Sequence, residues 1–177
     1  MRARSAVVAA IVGAVVVALI VLFLTADIDS DPNAVDTNQI VGKQAPSIDA
    51  KDTEGRPFRV ADYRGRWLLV NFFATWCAPC IAEHPELVAF SEAHQRAGDA
   101  SVVSVAYNDE PSAVSDFFAE RGGDWAVIAD DQSNFSIDYA VVALPESYLV
   151  DPDGKVVHKF VGGITKAEVE REMASDR

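Results

Sequence analysis

Residues 6–24 form an uncharged run of nineteen positions, mostly Val, Ala, Ile and Leu, after which the pattern breaks into short segments of alternating character. A run of that length predicts a bilayer-spanning helix rather than an element of a folded core. Residues 25–40 are polar, follow neither a helical nor a strand period, and read as a tether. From residue 41 the apolar positions become denser. An extended piece around Ala45-Pro46-Ser47-Ile48, a turn at Thr53-Glu54-Gly55-Arg56 and an extended Phe58-Arg59-Val60 predict a hairpin. Trp67-Leu68-Leu69-Val70-Asn71-Phe72-Phe73 predicts a buried strand. A helix follows to about Arg96, with Ile81, Leu87, Val88 and Phe90 inward and Gly98 as its stop. Residues 101–106 predict the next buried strand. Residues 111–121 carry a helical period with Val114, Phe117 and Phe118 inward, closed by Gly122-Gly123. Residues 125–128 predict a short strand, and two more at 147–150 and 156–160 flank the turn signal Asp151-Pro152-Asp153-Gly154. Thr165 with Glu168 three residues later predicts a capped final helix. Strands alternating with helices and ending in a hairpin imply a mixed sheet covered on both faces, a three-layer α/β sandwich.

Charge orients this plan. Arg2 and Arg4 precede the apolar run and Asp27, Asp29 and Asp31 follow it, so residues 1–5 are expected in the cytoplasm and the C-terminal part outside. The run is long for a cleaved signal peptide, Leu24-Thr25-Ala26 is a poor cleavage site, and no Cys at this boundary offers a lipid attachment point. The expected organisation is a cytoplasmic N-terminus at 1–5, a signal anchor at 6–24, a linker at 25–40 and one domain at 41–177, a single-pass protein of the cell membrane. The chain carries a formal charge of −12, and without residues 1–24 and their two arginines the remainder carries −14. A surface of that sign repels nucleic acid and anionic headgroups.

The only two cysteines, Cys77 and Cys80, lie in Trp76-Cys77-Ala78-Pro79-Cys80. Thiol–disulfide exchange needs an accessible thiolate to form a mixed disulfide and a second thiol within reach to resolve it, and this spacing supplies both. At the start of a helix, Cys77 would sit where free N–H groups and the macrodipole favour a negative sulfur, with Cys80 a turn further in. Pro79 suits a first turn because its missing N–H would have had no partner there. A zinc site is the first alternative, but it requires about four ligands, and only His84, His94 and His158 are available to complete it. A structural disulfide is the second, although so small a loop removes little chain entropy.

The domain resembles the thioredoxin-like fold, and more closely its membrane-anchored bacterial thiol–disulfide oxidoreductases of the TlpA, ResA and CcmG type. Four stretches carry the resemblance: Gly42-Lys43-Gln44-Ala45-Pro46, the run from Asn71 through Cys80, Ala143-Leu144-Pro145-Glu146-Ser147, and Val150-Asp151-Pro152-Asp153-Gly154. It implies that Pro145 is a cis-proline beside the cysteines, leaving the backbone of Leu144 open to a substrate strand. It further implies that Glu83 is the active-site acid, able to move a proton for Cys80. Thioredoxin's buried Asp, six residues before its first cysteine, is replaced here by Asn71, so proton transfer falls to Glu83.

The expected activity is reduction of exported proteins to their thiols: Cys77 attacks the substrate disulfide, Cys80 resolves, Glu83 manages protons, and Trp76, Leu144 and Pro145 hold the client. The resemblance implies apocytochrome c as client and a membrane thiol donor as electron source, with no cofactor and no resident metal. Ala78-Pro79 lacks the His that strongly oxidising relatives carry between their cysteines, which favours a reductant over a disulfide-forming oxidase. A peroxidase of the same fold would carry Thr where this chain has Ala74. A copper(I) assembly chaperone could use two soft thiolates and one His, but chaperones on this fold space their cysteines more widely.

Overall fold

The structure is a computed structural model and describes residues 13–18, 21, 39–130 and 134–176. The chain divides into two units, Met1–Asp36 and Thr37–Arg177. In the first, residues 13–18 and 21 are helical; the rest of the expected span and most of the expected linker lie outside the described residues. Among the described residues no helix is long and apolar enough to cross a membrane.

The second unit opens with a hairpin of β1 (Asp49–Lys51) and β2 (Pro57–Arg59) and a 3-10 turn at Val60–Tyr63. There follow β3 (Trp67–Phe73), α1 (Ala78–Ala97), β4 (Ala100–Tyr107), α2 (Pro111–Arg121), β5 (Ala126–Asp130), α3 (Asn134–Asp138), β6 (Glu146–Val150), β7 (Val156–Val161) and α4 (Lys166–Ser175). The main sheet has the order β5-β4-β3-β6-β7, parallel between β3, β4 and β5 and antiparallel from β3 through β7. The mixed three-layer sandwich anticipated from the sequence is the observed fold.

Every residue of β3 is buried, as befits the central strand. Its even positions Leu68, Val70 and Phe72 join Val103, Val105, Ile128 and Tyr148 in a core closed by Ile48, Phe58, Val60 and Tyr139. Its odd positions face the helices: Leu69 with Leu87 and Phe90 of α1 and Val169 and Met173 of α4, and Phe73 with Val114 and Phe117 of α2. The layers are unequal in kind. Both parallel crossovers step the same way from β3, and right-handedness sends α1 and α2 to the same side. The opposite face is covered by the hairpin and the short α3.

The hairpin begins later than the sequence pattern suggests. Residues 42–45 pair with the start of β7, through Gly42 N–H to Val156 O at 2.7 Å and Ala45 N–H to Gly154 O at 2.9 Å. Pro46 has no N–H to extend that ladder, and pairing resumes at Asp49. The turn between β6 and β7 forms as expected. Gly154 is left-handed there, and a Cβ would run into the Arg64 guanidinium. Helix α3, which has no periodic signature at five residues, is held by Asp130, whose carboxylate accepts from Phe135 N–H, Ser136 N–H and the Ser136 hydroxyl.

Thr165 caps α4 in a reciprocal box with Glu168, and the residue before it, Ile164, thereby has its N–H turned inward. Replacing Thr165 with Ala should lower unfolding free energy by about 1 kcal/mol, read from urea denaturation monitored by circular dichroism; no change would mean the cap is redundant with α4 packing.

Candidate active site

The cysteines sit where β3 runs into α1. Phe73 and Ala74 end the buried strand, Ala74 O accepts from Cys77 N–H at 3.1 Å, and Cys77 is the N-cap of α1 with extended backbone angles. Pro79 lies in the first turn, where its missing donor leaves nothing unpaired. Cys77 and Cys80 form a disulfide, and Cys80 N–H donates to Cys77 Sγ at 3.3 Å. A sulfur thus occupies the position an N-cap oxygen would take, at the positive end of the helix.

Burial differs from the expected split between an open and a closed cysteine. Cys77 is 6% exposed and Cys80 2%. With the bridge closed, both pack against Phe73, Ala106, Val114 and Phe117, with Leu144 against the same cluster. What reaches solvent is the rim: Trp76 is 63% exposed, and Ala78 and Pro79 are also open. The loop before the cysteines is tied to the end of β4, where Asp109 accepts from the Thr75 N–H and hydroxyl, a contact with no sequence signature.

Glu83 lies one turn beyond Cys80 and is 4% exposed. Its Oε1 accepts from Asn71 Nδ2 at 2.9 Å and its Oε2 from Ile164 N–H at 3.1 Å. Burial pushes its carboxyl up to about 7, against these two hydrogen bonds, which favour the carboxylate. Asn71 is itself fixed. Its amide also donates to Ser147 Oγ at 3.0 Å and accepts from Ser104 Oγ at 3.4 Å, and Ser104 receives the Trp125 indole N–H at 2.9 Å. Sheet register sets this chain, because Asn71 pairs with Ser104 on β4 and Ser147 on β6. Polar residues at Asn71, Ser104 and Ser147, within three otherwise largely apolar strands, were the signal available for it.

His84 follows Glu83, its ring against Phe117, Phe118 and Trp125. Its Nε2 is 2.8 Å from Gly122 O, which can only accept, so the proton is on Nε2, and burial holds the ring neutral. Pro85, inside α1, cannot donate to the preceding turn, which leaves the turn carrying Cys77 through Glu83 with one rung fewer to the rest of the helix.

The Leu144–Pro145 bond is cis. Pro145 O accepts from Gly162 N–H at 2.9 Å, which joins this loop to the turn carrying Gly163 and Ile164 behind Glu83. Cys77, Cys80, Leu144 and, through Ile164, Glu83 are thus drawn into one neighbourhood, with Trp76 at its edge.

The Redoxin family profile matches residues 40–174. The chain is 32% identical over 147 residues to the thiol:disulfide interchange protein HelX of Rhodobacter capsulatus, spanning 81% of this chain and 80% of that one. It is 36% identical over 137 residues to the thiol-disulfide oxidoreductase ResA of Geobacillus thermodenitrificans, spanning 76% and 77%. Among solved structures, a thioredoxin-family thiol:disulfide interchange protein from Chlorobium tepidum aligns with a TM-score of 0.66 at 29% identity, covering 75% of this chain and 94% of that one. With its Cys77–Cys80 pair, the chain belongs to the Redoxin family as a thiol–disulfide oxidoreductase of the HelX and ResA type.

Proposed function

We propose that the protein is a membrane-tethered, extracytoplasmic reductant that returns disulfides of exported proteins to thiols, with apocytochrome c as the client its family resemblance implies. The observation that carries the reading is the disulfide at the N-cap of α1 with the buried Glu83 carboxyl one turn behind it. The tether rests on the apolar run at 6–24.

The cycle starts from the dithiol. Cys77 as thiolate attacks one sulfur of the client disulfide, forming the mixed disulfide and releasing one client thiolate. Cys80 gives its proton to the Glu83 carboxylate and attacks Cys77 Sγ. The second client thiolate leaves, taking up a proton, and the Cys77–Cys80 disulfide remains. Two electrons have moved to the client, and a membrane thiol donor returns them. Trp76, Leu144 and Pro145 form the client surface.

Electrostatics favours this direction. A strong oxidant stabilises its reduced, thiolate form. Ala78-Pro79 contributes no positive charge, and an ionised Glu83 behind Cys80 works against a second negative charge. An oxidase is the opposite outcome of one measurement, the reduction potential of the full chain equilibrated in dithiol buffers and followed by Cys77 alkylation. A value near or below about −250 mV supports the reductant; one above roughly −180 mV would make the protein a disulfide donor.

Cys77→Ala should abolish exchange, whereas Cys80→Ala should accumulate client mixed disulfides on non-reducing gels. Retained reductase activity in Cys77→Ala would sink the mechanism.

Glu83 gives a pH signature. Its folded value of about 7 lies above the ordinary 4.5, so the folded state holds a proton that the unfolded chain has released. The associated stability is complete below pH 4.5 and is lost as pH rises through 7. Against Glu83→Gln, the unaltered protein should lose on the order of 3 kcal/mol between pH 4.5 and 8.5 in urea denaturation of the disulfide form. A difference that does not change with pH would mean Glu83 titrates as an ordinary carboxyl group. The same variant should slow resolution of the mixed disulfide most near neutral pH.

A further inference from the structure

A buried pair of charges stands on the sheet face away from α1, unused by the chemistry above. Glu146 directly follows the cis bond and pairs across the sheet with Phe72. Its carboxylate lies 2.8 Å from Lys159 Nζ of β7, and both side chains are 0% exposed. Tyr148 donates its hydroxyl to Glu146 Oε2 at 3.0 Å, and burial with the adjacent carboxylate keeps that phenol protonated.

Two contacts leave the core. Lys159 Nζ donates to Ala140 O at 3.1 Å, and Val142 N–H faces both Glu146 oxygens at 3.4 Å. Ala140 is left-handed, with φ +52, a conformation that a residue with a Cβ keeps when its surroundings impose it. Val142 is 54% exposed, so its backbone is held from inside while its side chain lies in solvent. Residues 140–142 are therefore tied to β6 and β7 just ahead of Leu144 and Pro145. Apolar residues of similar volume would fill the same space at equal or greater stability, but would offer nothing to Ala140 O or Val142 N–H.

We propose that Glu146 and Lys159 are positioning residues for client binding: their ion pair fixes the path of residues 140–144 and so the backbone that Leu144 presents to a client strand. This rests on the reading of Leu144 and Pro145 as client surface.

The test measures KM and kcat of the full chain for a peptide carrying one disulfide, with dithiothreitol as electron source. Glu146→Gln/Lys159→Met strands no charge and retains an acceptor for Tyr148; it should raise KM about tenfold, with kcat changed by about twofold or less. Lys159→Arg, which can still bridge Glu146 and Ala140 O, should restore a near-parental KM. Leu144→Asp serves as the comparison. If it raises KM while the double variant does not, the positioning role is overturned and the client surface stands. If Leu144→Asp leaves KM unchanged, the client surface falls and the proposal with it. Should the double variant fail to fold, amide hydrogen exchange on the unaltered protein decides. Val142 N–H slowed at least about tenfold relative to Ala143 supports the clamp, and equal rates overturn it.

Discussion

Burying a carboxyl group beside a disulfide is unfavourable unless something replaces its water, and the two donors that do so for Glu83 come from parts of the chain far apart in sequence. Asn71 Nδ2 comes from the central strand, and Ile164 N–H from the turn between the last strand and the last helix. Asn71 can present its amide only because Ser104 and Ser147 orient it across two strand pairings. Ile164 can point inward only because the Thr165 box starts α4 at the next residue. A slip of one residue in either register would turn these groups to the other face of the sheet. The acid is therefore a readout of the whole fold rather than of α1 alone.

The two faces of the sheet divide the work. The helical face holds the disulfide, Glu83 and the Asn71 chain, the groups that the proposed cycle uses. The opposite face holds Glu146, Lys159 and the tyrosines, with contacts to the loop that ends at the cis bond. Both sets lie near the carboxyl end of β3, the end at which open α/β sheets present their sites. Adjacent residues on β6 point to opposite faces, so Glu146 serves one set and Ser147 the other.

Most of the frame was legible from the chain because its periods are strong. β3 and α2 fall at the expected residues, since a seven-residue apolar run and a helix bounded by Pro111 and Gly122 leave little freedom. What stayed hidden involves polar groups whose partners are distant in sequence. Asp109 reaches Thr75 across 34 residues and Lys159 reaches Ala140 across 19, and neither contact leaves a periodic trace. His84 reads as a ligand candidate in one dimension and is a buried aromatic-packed ring in three. The cysteine motif named the chemistry, but the near-equal burial of both sulfurs comes from packing by Phe73, Phe117 and Leu144, which spacing alone does not reveal.

The closed disulfide also indicates where charge will appear when it opens. Cys80 N–H already points at Cys77 Sγ, and the first turn of a helix has donors that no intrahelical carbonyl can satisfy. In the proposed cycle, reduction puts a thiolate in front of those donors. Cys80 lies inside the turn, is 2% exposed and is followed by a buried acid, so a second negative charge there is opposed by burial and, once Glu83 ionises, by repulsion. In the proposed cycle one helix end thus distinguishes two chemically identical thiols, favouring Cys77 as the nucleophile and leaving Cys80 as the thiol that loses its proton last.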